Sequence, residues 1–178
     1  MLFDFCRRIA LTLVCLMLAG CASTPAYRFV DPGYGDTRYD GFIAYAAFTD
    51  LAIEAAFEQA LCKRLLAAGH ACTPMLDAAP PTREQDGASR HAASRASGAQ
   101  ASIVIELADM DSVSRRVIGQ ARPAYNVRVV DNADQLVAVQ LAIESPAGAR
   151  AAVSQQADAL ARQIVAALDQ AALLYQRP

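Results

Sequence analysis

The sequence predicts a single α/β domain: a mixed sheet with helices packed on it, in the order β-α-β-α-β-β-β-α. Three observations predict it. Gly41 to Phe48 is a continuous apolar run of strand length, as expected for a strand covered on both faces. It is followed by a helical stripe, Ile53, Phe57, Leu61 and Leu65, which Gly69 stops. Two alternating segments, Tyr125 to Val130 and Leu136 to Ile143, flank Asp131-Asn132-Ala133-Asp134, a hairpin signal.

The remaining elements fall between these. Thr49 or Asp50 is placed to cap the first helix, with Glu54 and Glu58 expected on a solvated line beside its stripe. After His70, Ala71 to Leu76 reads as a second strand, so strand, helix, Gly turn and strand form a βαβ-type opening with parallel strands. Asp77 to Pro81 is a loop. Thr82 to Ser97 reads as a weak helix: Gly87 and several serines lower its propensity, and its apolar positions, Ala88, Ala92, Ala93 and Ala96, predict a slight grip on the sheet. Ala101 to Leu107 is a clear strand. Residues 109–122 are polar except for Val113, Val117 and Ile118, which suggests a long hairpin arm. After the break at Pro146-Ala147-Gly148, Ser154 is placed to cap a last helix. Its stripe is Ala157, Leu160, Ala161, Ile164, Leu168, Ala171 and Ala172.

The N-terminus has a different character. Arg7 and Arg8 precede an apolar run from Ile9 to Leu18, and Leu18-Ala19-Gly20-Cys21 follows. A basic start, a short apolar region and small residues before a cut make a secretory signal peptide. The run is too short for a transmembrane helix, which needs ~20 apolar residues. Leu-Ala-Gly-Cys resembles the lipobox of bacterial lipoproteins. That resemblance implies that the thiol of Cys21 takes a diacylglyceryl group and that Cys21 becomes the mature N-terminus, anchored by covalent lipid. An exported soluble protein with a chance cysteine at the cut is the alternative. Ala22, where aspartate would signal inner-membrane retention under the enterobacterial sorting rule, implies the outer membrane, with the domain in the periplasm. The expected organisation is a signal peptide at 1–20, a lipidated N-terminus and extended tether at 21–40, and one domain at 41–175. Ser23, Thr24, Pro25, Pro32, Gly33 and Gly35 break any periodicity in the tether, which at ~3.3 Å per residue would reach several tens of ångströms. Tyr27, Phe29, Tyr34 and Tyr39 do not suit a passive spacer. Either the last part straps onto the domain and buries the rings, or the rings form a partner contact.

Composition bounds the function. Of 178 residues, 158 remain after the leader, enough for one core, and losing Asp4, Arg7 and Arg8 moves the net charge from -2 to -3. That balance argues against binding nucleic acid. Lys63 is the only lysine and there is no tryptophan.

The pattern of the domain also resembles a family. A strand, a Glu-bearing helix ending in Leu-x-x-x-Gly and a Pro-Thr loop precede Gly-Ala-x-Ala-Ser-Ile-Val-Ile and a hairpin with Asp131 at its turn. Together, over residues 40–173, these resemble a broad group of small Gram-negative lipoproteins of mostly unassigned function. Their domain is similar to the N-terminal domain of the Tol-system propeller protein and to lipoprotein activators of peptidoglycan synthases. The resemblance carries no catalytic motif, and no functional residue transfers from it.

The residues themselves offer few sites. His70 and His91 have no ligand-spaced companions, so zinc is not expected. Asp109 and Asp111 would share one side of an extended strand, as divalent-cation ligands or simply as a solvated face. No nucleophile elbow and no phosphate loop occur, and no cofactor or catalytic residue is expected. Arg115, Arg116 and Arg122 flank an apolar arm tip, suited to an anionic glycan or headgroup, or to solubility alone. With Tyr27, Tyr34 and Tyr39 they are the candidate partner contacts. Two function classes stay open: a non-catalytic envelope factor docking on an envelope protein or glycan, and a small hydrolase assembled from scattered residues. A deep pocket with a buried, paired carboxylate or a Ser–His contact would favour the hydrolase. Finally, once lipid has consumed Cys21, Cys62 and Cys72 are the only thiols left in an oxidising compartment. Seven helical residues from Cys62 to Gly69 cover about 10 Å, and the strand returns about as far to Cys72, which predicts a disulfide between them. Two separate buried thiols are the alternative.

Overall fold

A computed structural model describes residues 27–82, 85–108, 124–144 and 151–176. Six strands form one mixed sheet: β1 (Tyr27–Val30), β2 (Gly41–Ala46), β3 (Ala71–Pro74), β4 (Ala101–Leu107), β5 (Ala124–Asp131) and β6 (Val137–Glu144), in the spatial order β1-β6-β5-β4-β2-β3. β2 runs parallel to β3 on one side and to β4 on the other, while the pairs β4–β5, β5–β6 and β1–β6 are antiparallel. The helices are α1 (Leu51–Ala67), the single turn α2 (Met75–Ala78), α3 (Gly87–Ala96) and α4 (Val153–Gln170). The expected fold class and element order stand, with β1 and α2 added.

Alternation along the strands sorts the sheet into two faces. Phe42, Ala44 and Ala46 of β2, with Ile103, Ile105, Val127, Val129, Leu141 and Ile143, point to one side. There they meet Phe57, Leu61 and Leu65 of α1 and Leu160, Ile164 and Leu168 of α4. Each large side chain fully buried in this layer contributes roughly 1.5–3 kcal/mol, so this face holds most of the stability. The predicted disulfide is present: Cys62 on α1 and Cys72 on β3 are bonded, with Cα atoms 5.0 Å apart. Gly69 and Gly98 end α1 and α3 with φ of +90° and +73°, a conformation that glycine adopts without strain.

The other face is only partly covered. α3 was expected to touch the sheet through alanines, yet Ala88, Ala92 and Ala96 are exposed and Ser94 is its buried residue. The helix begins later than periodicity suggests because Asp86 caps it, its side chain accepting from the Ser89 N–H, so Gly87 lies in the first turn instead of the interior. A polar contact replaces the apolar one. Ser102 on β4 donates to Asn132 Oδ1 at 2.6 Å and lies 3.3 Å from the Ser94 hydroxyl, while Asn132 Nδ2 donates to the Ala99 carbonyl. Buried polar groups paired in this way fix position more than they add stability.

Three further boundaries differ from expectation. β3 stops at Pro74 and the chain turns at once into α2, since Pro74 has no N–H to continue a ladder. α4 starts at Val153, two residues early, with Ala152 instead of Ser154 at its cap and no side-chain cap bond. It ends at Gln170, so Ala171 and Ala172 follow the helix instead of extending its stripe. The expected hairpin arm at 109–122, with Asp109, Asp111, Arg115, Arg116 and Arg122, lies outside the described residues, as does Cys21.

The stretch expected to be a tether is part of the domain from Tyr27 onward. β1 pairs with β6, Tyr27 opposite Ala142 and Val30 opposite Val139. The chain then turns through Pro32–Tyr34, capped by Asp31. Tyr39 is bracketed by the C-terminal segment: its N–H donates to the Leu173 carbonyl at 2.8 Å, and the Tyr175 N–H donates to its carbonyl at 3.0 Å. A strap therefore exists, but of the four rings it fully buries only Tyr39, while Tyr27 and Phe29 stay exposed; β6, which would otherwise be an edge, is paired on both sides.

The Cys62–Cys72 bond closes a loop of sequence separation 10 in the unfolded chain. Replacing both cysteines by serine is expected to lower stability by about 2–3 kcal/mol. Urea unfolding of the two proteins, compared at equal m-value, measures it. A change below about 0.5 kcal/mol would mean that the bond constrains little.

Candidate functional site

Two ends of the sheet carry the features of interest. At the C-terminal end of the parallel strands, where α/β sheets place their crevices, the loop after β2 leads into α1. Phe48, Phe57 and Tyr125 cluster there, with ring centroids 5.0 Å apart for Phe48–Phe57 and 5.6 Å for Phe57–Tyr125. They line a cleft of about 420 Å³ with Leu107, Val153 and Gln156. The Tyr125 hydroxyl contacts Gln156 Oε1 at 3.3 Å, so the inner polar groups of this apolar cleft are engaged.

Beside the cleft, beneath α1, sits a carboxylate pair that sequence reasoning placed in solvent. Glu58 is fully buried and Glu54 nearly so, at 0% and 7% exposure. Glu58 Oε1 accepts the Ala46 N–H at 3.1 Å, and Oε2 accepts the Leu76 N–H at 2.9 Å. β2 ends at Ala46 and α2 begins at Met75, so both N–H groups need an acceptor that neither element provides. Periodicity records where apolar residues fall and carries no trace of such donors, so it places Glu58 on the solvated line. Burial raises its pKa to about 7, with Glu54 and Asp77 adding to the rise and the two backbone bonds opposing it. Burial also raises Glu54, while its hydrogen bond with Glu58 and the nearby Arg90 oppose that. The shared bond between two acids requires one proton, which Glu58 is suited to carry. The Arg90 guanidinium in turn lies 5.1 Å over the Tyr45 ring, on the side of the sheet that α3 covers.

The opposite end of the sheet is more polar. Between the C-terminal parts of α1 and α4 lies a cleft of about 750 Å³ lined by Arg64, His70, Arg162, Asp169, Tyr175 and Gln176 among others. Asp158 accepts from Arg64 at 2.6 Å and from Arg162 at 2.5 Å, tying the two helices together and orienting both guanidiniums. Tyr175 is 48% exposed at its rim. His70 is buried, with Nδ1 3.2 Å from Asp40 Oδ1. It is a satisfied structural histidine.

The tyrosines expected as contacts separate. Tyr39 is buried and its hydroxyl donates to Asp131 at 3.0 Å, so it belongs to the core and not to a contact surface. Tyr34 donates to Asp134 across the hairpin turn, which pushes its pKa up to about 12 and holds Asp134 low. Tyr27 remains exposed, and so does Phe29. The structure does not bring Tyr27, Tyr34 and Tyr39 into one surface. Among the described residues no group of three or more potential metal ligands occurs, and no helix is long and apolar enough to cross a membrane.

No protein-family model and no curated protein matches the chain. Among solved structures, it is similar to a PelC dodecamer from Paraburkholderia phytofirmans: 14% identity, TM-score 0.51, covering 85% of this chain and 97% of that one. The likeness is one of fold. Weaker likenesses are to lipoprotein GNA1162 from Neisseria meningitidis, at 13% identity, TM-score 0.44, 75% of this chain and 96% of that one. A protein of family DUF330 from Xanthomonas campestris follows at 13% identity and TM-score 0.33, covering 83% and 91%. None of these is the Tol-system propeller domain, and that likeness rests on the sequence pattern alone.

The buried acid makes a pH prediction. Its folded pKa of about 7 lies above the ordinary 4.5, so the folded state holds the proton more tightly than the unfolded state. Stability is then greatest below pH 4.5 for this group and is lost as pH rises through 7, by of order 2 kcal/mol between pH 5 and 8. Denaturant unfolding across that range measures the slope. Glu58→Gln, whose amide keeps a donor toward Glu54 and one acceptor, is expected to flatten it. An unchanged slope in that variant would remove Glu58 as its source.

Proposed function

We propose that this chain is a lipid-anchored accessory protein of the cell envelope, held in the outer membrane through Cys21 with its domain in the periplasm. It works by docking on an envelope protein or a glycan and not by catalysis. The choice between docking and hydrolysis turns on one observation. The buried Glu54/Glu58 pair is the arrangement a hydrolase would need, yet both Glu58 oxygens are occupied by backbone N–H groups. Neither acid lines the two clefts described above. A general acid must reach a substrate atom within hydrogen-bond distance. Glu58 is instead a joint between β2, α1 and α2.

The docking surface in this proposal is the cleft between the C-terminal ends of α1 and α4, an apolar floor rimmed by Arg64, Arg162 and Tyr175. Oriented arginines beside an exposed tyrosine suit the hydroxyls and carboxylates of a glycan or the rim of a protein interface. The arm arginines Arg115, Arg116 and Arg122 are a second contact in this proposal.

Two variants test the reading. Cys21→Ser should accumulate as unprocessed precursor or leave the membrane fraction, because a single polypeptide surface does not replace acyl chains that contribute ~0.8 kcal/mol per buried CH₂. Tyr175→Ala combined with Arg162→Glu should cost no more than about 1 kcal/mol of stability, since Arg162 is a surface ion-pair partner. It should also weaken both binding to purified peptidoglycan and chemical crosslinking in intact envelopes. If all crosslinks and sacculus binding persist, the cleft is not the docking surface. If the native protein instead cleaves peptidoglycan and Glu58→Gln does not, the hydrolase reading replaces this one.

A further inference from the structure

The register of the sheet places the anchor and an apolar patch at the same end of the domain. β1 starts at Tyr27, six residues after Cys21, so the chain between them spans at most about 20 Å. Tyr27 stands opposite Ala142, Ala142 opposite Asn126, and Asn126 opposite Glu106. That row crosses the sheet at the C-terminal ends of β2 and β4. Three strand spacings bring Leu107, next to Glu106, within roughly 15 Å of β1. At this end Tyr27 is 58% exposed, Leu107 58%, Leu51 53% and Val153 39%, and Phe29 lies two residues along β1 at 48%. Leu107 and Val153 form the rim of the Phe48–Phe57–Tyr125 cleft.

We infer that this end of the domain is seated on the bilayer that holds the lipid, with Tyr27, Leu51, Leu107 and Val153 in the headgroup and upper acyl region. The inference goes beyond docking but rests on lipidation at Cys21. The occupant is argued from chain length: with Cys21 acylated, the six-residue link keeps Tyr27 within about 20 Å of the lipid, so this end of the domain faces the bilayer and its exposed apolar groups are within reach of it. Aromatic rings and leucines at such a level gain by burial, with Tyr27 keeping its hydroxyl in the wet layer. Among the described residues, several charges at this end are already engaged. Asp50 is engaged as the cap of α1, and Glu106 pairs with Arg128 at 2.7 Å. Glu144 closes β6 at the same end. Arg28 stands exposed beside Tyr27, so the described charges favour no one lipid class, and seating is driven by apolar contact.

The chain contains no tryptophan, so a single introduced one reports its own surroundings. Lipidated full-length Leu107→Trp and Leu66→Trp are reconstituted into vesicles of phosphatidylethanolamine and phosphatidylcholine with brominated acyl chains. Leu66 is equally exposed, at 58%, but lies near the C-terminal end of α1, at the far end of the domain. Brominated lipid is expected to quench Leu107→Trp about twofold, as for a side chain ~5–10 Å below the headgroup level, and to leave Leu66→Trp unaffected. Leu51→Trp is the second reporter should Leu107→Trp fail to fold by circular dichroism. Mass spectrometry of the N-terminal peptide separates the two premises. An unacylated Cys21 removes the anchor, and the seat with it. An acylated protein in which the two reporters are quenched alike overturns the seat and leaves the anchor standing. A Leu107→Trp shielded from both brominated lipid and aqueous iodide also overturns it, since a protein surface then covers the patch.

Discussion

The pairing of β1 with β6 is the constraint on which the arrangement of this molecule depends. Four residues at the start of the described chain join the sheet as its outermost strand. By doing so they bound how far Cys21 can lie from that end of the domain, at about 20 Å. A long spacer would leave the domain free to tumble over tens of ångströms. A strand that begins six residues after the cysteine does not. The same pairing closes the edge of β6, and the strap that follows runs to Tyr39, where backbone bonds to Leu173 and Tyr175 join the two ends of the domain.

Within that frame the interior is organised by two kinds of joint. On one face, apolar side chains of α1 and α4 fill the layer above the sheet, and the Cys62–Cys72 bond pins α1 to the edge strand β3. On the other, α3 is positioned by hydrogen bonds through Ser94, Ser102 and Asn132. Glu58 links the layers by accepting from the end of β2 and the start of α2. A carboxylate in that position costs desolvation when ionised, which is why its proton is held to near neutrality. This joint answers to pH, whereas the apolar layer does not.

Much of this was legible in the sequence because it depends on local pattern. The run 41–48, the stripe through Phe57, Leu61 and Leu65, the glycines at 69 and 98 and the Asp131–Asp134 turn each specify geometry through a handful of neighbours. The disulfide was legible from elimination and two rises per residue. Three features were not. Tyr27–Val30 is four residues long with Pro and Gly close behind, so nothing local separates a strand from a spacer; only β6 gives it a partner. Ser94 gives no signal because a helix face is marked in a sequence by apolar residues, and this face is polar. Glu58 has the pattern of a solvated residue because its partners are backbone N–H groups 12 and 18 residues away. The clefts depend on which helix ends meet, which no spacing in the chain records.

The central claim is that the domain rests against the membrane at the end marked by Tyr27 and Leu107, leaving the cleft between α1 and α4 facing outward. Neutron reflectometry of the lipidated protein on a supported bilayer tests it directly. The account predicts a protein layer continuous with the headgroups. A water-filled gap approaching the ~20 Å that the six-residue link allows would contradict it.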